Sequence, residues 1–477
     1  MSNFERRLDA RLVVSVAAVG ITCFAGVVVE TALNIAFPAL MKEFGVTTAV
    51  VQWVTTAYLL VLSAITPISS FLTRRFRNKT LFLAAMAVFI AGTAVCAAAP
   101  HFILLVVGRI LQGIGAGIAL PLMFNIVLQQ APVGKLGVMM GFATLIIAIA
   151  PAVGPSFGGF LVEAFGWRSI FLVLLPFLGL SLVLGALTVR QARDVEKVGF
   201  SPVQFLLVAA GFTALVVAVN AASESAWTSP KTLGLLALAF ALLAGFTWIS
   251  RRSDTPLLRV RIFTDRTYSL SLAYAVLIQA AVLALGYLIP YFAQVAKSVG
   301  SFAAGCLLLP GCIIGAILTP FGGRLLDRFG AKRPILAGAA VGVATLACFA
   351  AFGAEGSAVR LAFIYVFFPI CQGLSLSNSM THGLRSLPED LQADGNAAFN
   401  TVQQLGGAVG TAVAAAIVNS AQAGSSGDVV AGTTAGAQTA FYVLLGAGAA
   451  AFAAVLGVFL RPRRGQAEKR SRSGLID

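Results

Sequence analysis

Long apolar runs separated by short polar turns fill this chain almost from end to end. A helix needs about 20 mostly apolar residues to cross the hydrocarbon of a bilayer, and fourteen runs reach that length. They cover approximately 12–40, 49–71, 80–98, 102–130, 136–162, 168–189, 201–221, 232–250, 268–294, 302–322, 334–353, 358–384, 395–419 and 437–460. The first run follows Arg6, Arg7 and Arg11, as a signal peptide would, but it is too long and lacks a small-residue cleavage site. It therefore reads as a span, and the pattern predicts an all-α integral membrane protein with 14 transmembrane helices.

Composition points the same way. Hydrophobic residues make up 58% of the 477 and charged residues 11%, against about 45–50% and about 25% in soluble domains. The net charge of +15 would suit nucleic acid only if the cations gathered on one exposed face. They do not: 27 of the 33 lysines and arginines fall on the side of the termini, five on the opposite side, and Arg109 inside a span. Such a bias marks the cytoplasmic face, so both termini are expected in the cytoplasm of a cell whose inner or plasma membrane holds the protein. No nucleic-acid partner is expected. Six cysteines lie scattered without paired spacing, and His101 and His382 are the only histidines. Neither set suggests disulfides, a metal site or a cofactor.

The turn after the second span reads Leu72-Thr73-Arg74-Arg75-Phe76-Arg77-Asn78-Lys79. The turn after the tenth reads Gly323-Arg324-Leu325-Leu326-Asp327-Arg328-Phe329-Gly330-Ala331-Lys332-Arg333. Both are basic, with an Arg-Phe pair in register. A looser pair joins Gly154-Pro155-Ser156-Phe157-Gly158-Gly159 in the fifth span to Gly406-Gly407-Ala408-Val409-Gly410 in the thirteenth. Internal repetition of this kind implies two six-helix halves, spans 1–6 and 9–14, with spans 7 and 8 inserted.

These residues resemble the major facilitator superfamily, in particular its fourteen-helix drug:proton antiporter branch. Gly323, Asp327, Arg328, Gly330, Lys332 and Arg333 match the family's G-x-x-x-D-R-x-G-x-[RK]-[RK] loop. Arg109, Gln112 and Gly113 match R-x-x-Q-G, while Gly154, Pro155, Gly158 and Gly159 match the antiporter pattern G-P-x-x-G-G. Thr31-Ala32-Leu33-Asn34-Ile35-Ala36-Phe37-Pro38 is similar to T-x-x-N-x-A-x-P. The sequence departs from the family at Arg74, where Asp is frequent, and at Arg77, where Gly is. Many relatives have Asp where Val29 stands, and Glu30 follows one position later, about 100° round the helix. The organisation implied is an N-terminal bundle at 1–190, a linker with two inserted helices at 191–267, a C-terminal bundle at 268–460 and a basic cytoplasmic tail at 461–477.

Glu30 is the one acidic residue read deep inside a span, and Arg109 the one cation. Ionisable residues within the membrane are costly and mark ion or substrate pathways; a structural carboxylate bonded to a neighbouring helix is the alternative. The two residues lie at similar depth, so a coupled pair is geometrically open, and the resemblance implies that Arg109 assists proton coupling with Gln112 beside it. Proline with nearby glycines, as in Gly154, Pro155, Gly158 and Gly159, kinks a helix and lets another approach, which suits a moving joint or plain tight packing. Gly323, Asp327, Arg328 and Gly330 suit a turn that bonds neighbouring helix ends in one conformation and releases them in another. Asn34, Gln112, Gln279, Tyr287, Tyr291, Asn378, Asn400 and Gln404 are candidates for a cavity with few hydrogen-bonding groups.

The function expected is a proton-coupled efflux antiporter, working by alternating access as a monomer on amphipathic, drug-like, cationic compounds. Export of an endogenous metabolite, lipid or neutral compound is the alternative. A membrane-embedded enzyme would need clustered nucleophiles, bases or metal ligands, and a scaffold or receptor would normally carry larger soluble regions.

Overall fold

The computed structural model describes residues 9–46, 48–51, 53–191, 195, 199–224, 228–253, 256–354, 357–425 and 428–460. The basic tail at 461–477 lies outside them, as do the side chains of Asn34 and Pro155. Within hydrocarbon a backbone amide finds no water, so helices that satisfy their own amides are the available solution for runs this apolar. Among the described residues fourteen long helices form: α1 Ala10–Phe44, α2 Trp53–Arg75, α3 Asn78–Ala98, α4 Phe102–Gln130, α5 Leu136–Phe165, α6 Ser169–Thr188, α7 Pro202–Glu224, α8 Pro230–Arg252, α9 Arg266–Lys297, α10 Leu309–Phe329, α11 Lys332–Phe352, α12 Ala358–Ser386, α13 Gln392–Gly424 and α14 Val429–Phe459. Thirteen of these segments have the length and hydropathy of a span among the described residues. The 30-residue α5, whose described apolar part is Leu136–Pro151, makes the fourteenth.

Their ends follow local chemistry. Asp9, Ser229, Asp265, Ser357 and Asp428 cap α1, α8, α9, α12 and α14 by accepting from first-turn amides. Gly45 ends α1 with φ 64° and Gly330 ends α10 with φ 77°, values that a side chain disfavours. Two helices change pitch midway. α2 tightens at Thr66–Ile68, around Pro67, and α12 widens at Gln372–Leu376 just after Pro369.

The helices α1 to α6 form one bundle and α9 to α14 another, and small residues set the spacing in both. In the first, a β-carbon on Gly158 would stand 2.5 Å from that of Ala32, and one on Gly154 would collide with Thr31, so α5 lies directly on α1. In the second, Gly406 and Gly410 of α13 meet the carbonyls of Val276 and Ala280 in α9. The fifth helix of each half thus crosses the first in the same way. Gly159, in the same motif, has nothing within 4 Å of its β-carbon position and takes no part.

Between them sit α7, which packs on α2 and α13, and α8, which packs on α7 and is otherwise mostly exposed. The two bundles meet closely on the side where α1 begins and α14 ends, called here the terminal face. Gly137 of α5 and Gly323 of α10 cross there: a β-carbon on Gly137 would lie 2.5 Å from the Gly323 carbonyl, and one on Gly323 would collide with the Gly137 carbonyl. Thr144 and Ser377 meet at 3.2 Å. Asn396 donates to the Pro121 carbonyl at 2.8 Å and to Asn125 at 2.9 Å. Further along, α5 lies against α1 at Gly154 and Gly158.

Close packing of this kind is sensitive to added volume. Gly158→Val should cost about 1–3 kcal/mol and lower the thermal unfolding temperature in detergent, whereas Gly159→Val should leave it unchanged. Equal effects of the two substitutions would contradict this helix crossing.

Candidate functional site

The first bundle converges on one guanidinium. Arg109 of α4 is fully buried, a costly position for a cation that holds only if its donors and charge are met. Nε donates to the Val54 carbonyl at 2.9 Å and Nη1 to Gln112 Oε1 at 2.7 Å. Gln112 is held in turn by the Thr93 hydroxyl at 2.9 Å, which donates to the Phe89 carbonyl. The Tyr58 ring lies 4.2 Å beneath the guanidinium, a contact worth about 2 kcal/mol when water is excluded. Close approach of α3 to α4 beside it is permitted by Gly92 and Gly108, each of which faces the other's carbonyl.

Tyr58 also reaches α1. Its hydroxyl lies 2.6 Å from where a β-carbon of Gly26 would stand, and Glu30 is one helical turn beyond Gly26 on the same face. Glu30 is partly accessible and interacts electrostatically with both Arg109 and Tyr58. Among the described residues no direct ion pair joins Glu30 to Arg109, and Nη2 of Arg109 is buried without a hydrogen-bond partner. The arrangement is a carboxyl within electrostatic range of a fixed positive charge, one of whose donors has no partner among the described residues.

Other expected residues divide by place. Tyr287 and Tyr291 stack on α9 with centroids 5.4 Å apart, and Gln279 on the same helix bonds Gln403 at 3.2 Å. Asn400 of α13 is buried and donates to Asn396; Gln404, one turn on, has a buried Nε2 without a partner among the described residues. Gln112 and Asn378, expected at the cavity, are instead enclosed in helix packing. Gln112 steadies Arg109, and Asn378 donates to the carbonyls of Gly322 at 2.8 Å and Leu374 at 2.7 Å, the second of these where α12 widens. Asp327 accepts from the amides of Gly137 at 2.9 Å and Val138 at 3.0 Å across the bundle joint, while Arg328 lies exposed over Phe329.

One more acid is enclosed: Asp394 is fully buried in the first turn of α13. It accepts from the Ser70 hydroxyl, and Arg74 stands 3.9 Å away. Neither Tyr58 nor Asp394 stood out in the sequence. One is an aromatic in an apolar run, and the other lies only three residues into its helix. A usable signal existed for Asp394 alone: the cation at position 74, where the family has an acid, needs an acidic partner.

Two six-helix bundles, joined at one face and with a buried guanidinium and a carboxyl inside the first, have the architecture of a membrane transporter. The chain belongs to the Major Facilitator Superfamily, which it matches over residues 19–411. It is 34% identical over 426 residues to the lincomycin resistance protein LmrB of Listeria monocytogenes, covering 88% of this chain and 90% of that one. It is 28% identical over 423 residues to the multidrug resistance protein B homolog of Mycobacterium tuberculosis, covering 86% and 77%. Among solved structures, the human organic anion transporter MFSD10 (TETRAN) superposes with a TM-score of 0.66 over 93% of this chain and 99% of that one. At 13% identity that likeness bears on the fold alone.

Arg109→Lys keeps the charge, but one ammonium cannot serve the Val54 carbonyl, Gln112 and the Tyr58 face together. A hydrogen bond to a charged group contributes about 1.5–3 kcal/mol, so the variant should unfold at a lower temperature than the wild type. An unchanged unfolding temperature would show that the fork does not hold α2, α3 and α4 together.

Proposed function

We propose that this protein is a proton-coupled efflux antiporter that exports amphipathic, cationic, drug-like compounds by alternating access. The observation that carries the reading is Glu30: a partly accessible carboxyl in the middle of α1, coupled through space to Arg109 and Tyr58. The names of the relatives, lincomycin resistance and multidrug resistance, support drugs as the cargo, and the stacked Tyr287 and Tyr291 offer a flat aromatic surface to it.

Coupling follows from the cost of charge in hydrocarbon. An ionised, unpaired Glu30 resists enclosure when the bundles rock, because a bare carboxylate loses water and gains nothing. A bound proton neutralises it, and so does a bound organic cation. Each therefore licenses closure and each excludes the other, so outward movement of cargo is tied to inward movement of protons. Arg109, held by Val54, Gln112 and Tyr58, cannot follow the cargo and stays as a fixed charge within electrostatic range of the carboxyl.

The distribution of cations supports a cytoplasmic terminal face with both termini in the cytoplasm, and on this reading the protein works as a monomer in the cell membrane. The conformation described, closed at the terminal face, is then the one that releases cargo outward and accepts a proton.

Glu30→Gln, which mimics the protonated state permanently, should abolish export driven by a pH gradient in proteoliposomes while leaving folded protein in the membrane. Undiminished export at normal protein levels would sink the proposal.

A further inference from the structure

In both halves of the molecule the second helix ends in a basic turn that reaches the start of the fifth helix of the other half. At the end of α10, Asp327 accepts from the Gly137 and Val138 amides at the start of α5. A helix start exposes unpaired amides and the positive end of its dipole, so a carboxylate suits it. Aligning Arg75-Phe76 with Arg328-Phe329 puts Ser70 at the place of Gly323 and Arg74 at the place of Asp327. A cation there would face the positive end of α13 with nothing to favour it.

The structure supplies what is missing. Asp394, in the first turn of α13, turns into the joint, accepts from Ser70 and stands 3.9 Å from Arg74. A third body closes over the pair: Pro256–Asp265, the strap that leads from the inserted helices into α9. Arg74 Nη2 donates to the carbonyls of Pro256 at 2.8 Å and Leu257 at 3.1 Å. The Arg259 amide donates to Asp394 at 3.2 Å, its Nε lies 3.7 Å from the same carboxylate, and its Nη1 bonds Asp390 at 2.7 Å. The strap is moored to both inserted helices, since the Leu257 amide bonds Gln204 of α7 at 2.9 Å and Ser250 of α8 bonds the Leu258 carbonyl at 2.7 Å. Leu257 itself is buried against Ile68 and Phe71 at the end of α2.

We propose that Ser70, Arg74, Arg259 and Asp394 form a charge-inverted latch that holds the terminal face shut, with the strap after the inserted helices as one of its working parts. The inference rests on the alternating-access reading: the face that must open to load cargo is the one this latch closes. Asp394 is a positioning residue, because a lone buried carboxylate would be costly and its two cations come from bodies that must separate. The inserted pair then takes part in gating through its strap, besides joining the two halves.

The test is hydrogen–deuterium exchange on the full-length protein in lipid nanodiscs, without substrate. Asp394→Asn and Arg74→Asp should each speed exchange of the amides of 257–259 and of the first turn of α5 by roughly tenfold or more, the size expected for losing bonds to a charged group. The double variant Arg74→Asp with Asp394→Asn recreates the arrangement of the other half, a carboxylate facing free helix amides, and should exchange more slowly than either single variant. Should Asp394→Asn fold poorly, Ser70→Ala and Arg259→Gln give the same change at the same amides on a smaller scale. Additive damage in the double variant, or unchanged exchange at 257–259 in every single variant, would overturn the latch. Proton-driven export by the wild type is assayed separately; its absence would refute the transport reading and leave the exchange result standing.

Discussion

A bilayer offers no water to a charge and no partner to a stray amide, and that constraint shapes each part of this protein that is not plain apolar helix. Arg109 is tolerated because α1, α2 and its own helix α4 give it a carbonyl, an amide oxygen, an aromatic face and a carboxyl within electrostatic range. Asp394 is tolerated because two cations and a hydroxyl reach it. Each ionic group in the interior thereby fastens several helices at once, and the groups that bind the fold are the ones whose rearrangement would move it.

Glycine does the complementary work. Lipid offers little hydrophobic drive for helices to associate, so close contact depends on backbones that fit together. Gly154 and Gly158 against α1, Gly406 and Gly410 against α9, and Gly137 against Gly323 are the places where they do. The first two sets hold each bundle together. The last joins the bundles at the terminal face, alongside Asp327 and the Asp394 cluster. Duplication has left the same mechanical plan in both halves, with the polarity of one latch reversed.

The fourteen helices were legible because hydropathy is a property of a local stretch: α4 begins and ends where the apolar run does, at Phe102 and Gln130, while the caps Asp265 and Asp428 start α9 at Arg266 and α14 at Val429, ahead of the apolar runs at 268 and 437. Glu30 and Arg109 were legible for the opposite reason, as exceptions in runs that otherwise avoid charge. The burial of Asp394 was hidden, since a residue near a helix start looks exposed until another bundle covers it. Gln112 and Asn378 were misplaced for a related reason: an amide inside a span can face a cavity or bond a neighbouring backbone, and nothing along the chain distinguishes the two.

By itself, then, the sequence determined the span pattern, the two halves and the residues too polar to be ignored, because each of these is written in composition and spacing along one strand of chain. Only the tertiary structure decided which of the motif glycines touch anything, which acid answers Arg74 and what the inserted helices are moored to. Those outcomes depend on which helices meet across the joint between bundles, and contacts between residues hundreds of positions apart leave no periodic trace in the sequence.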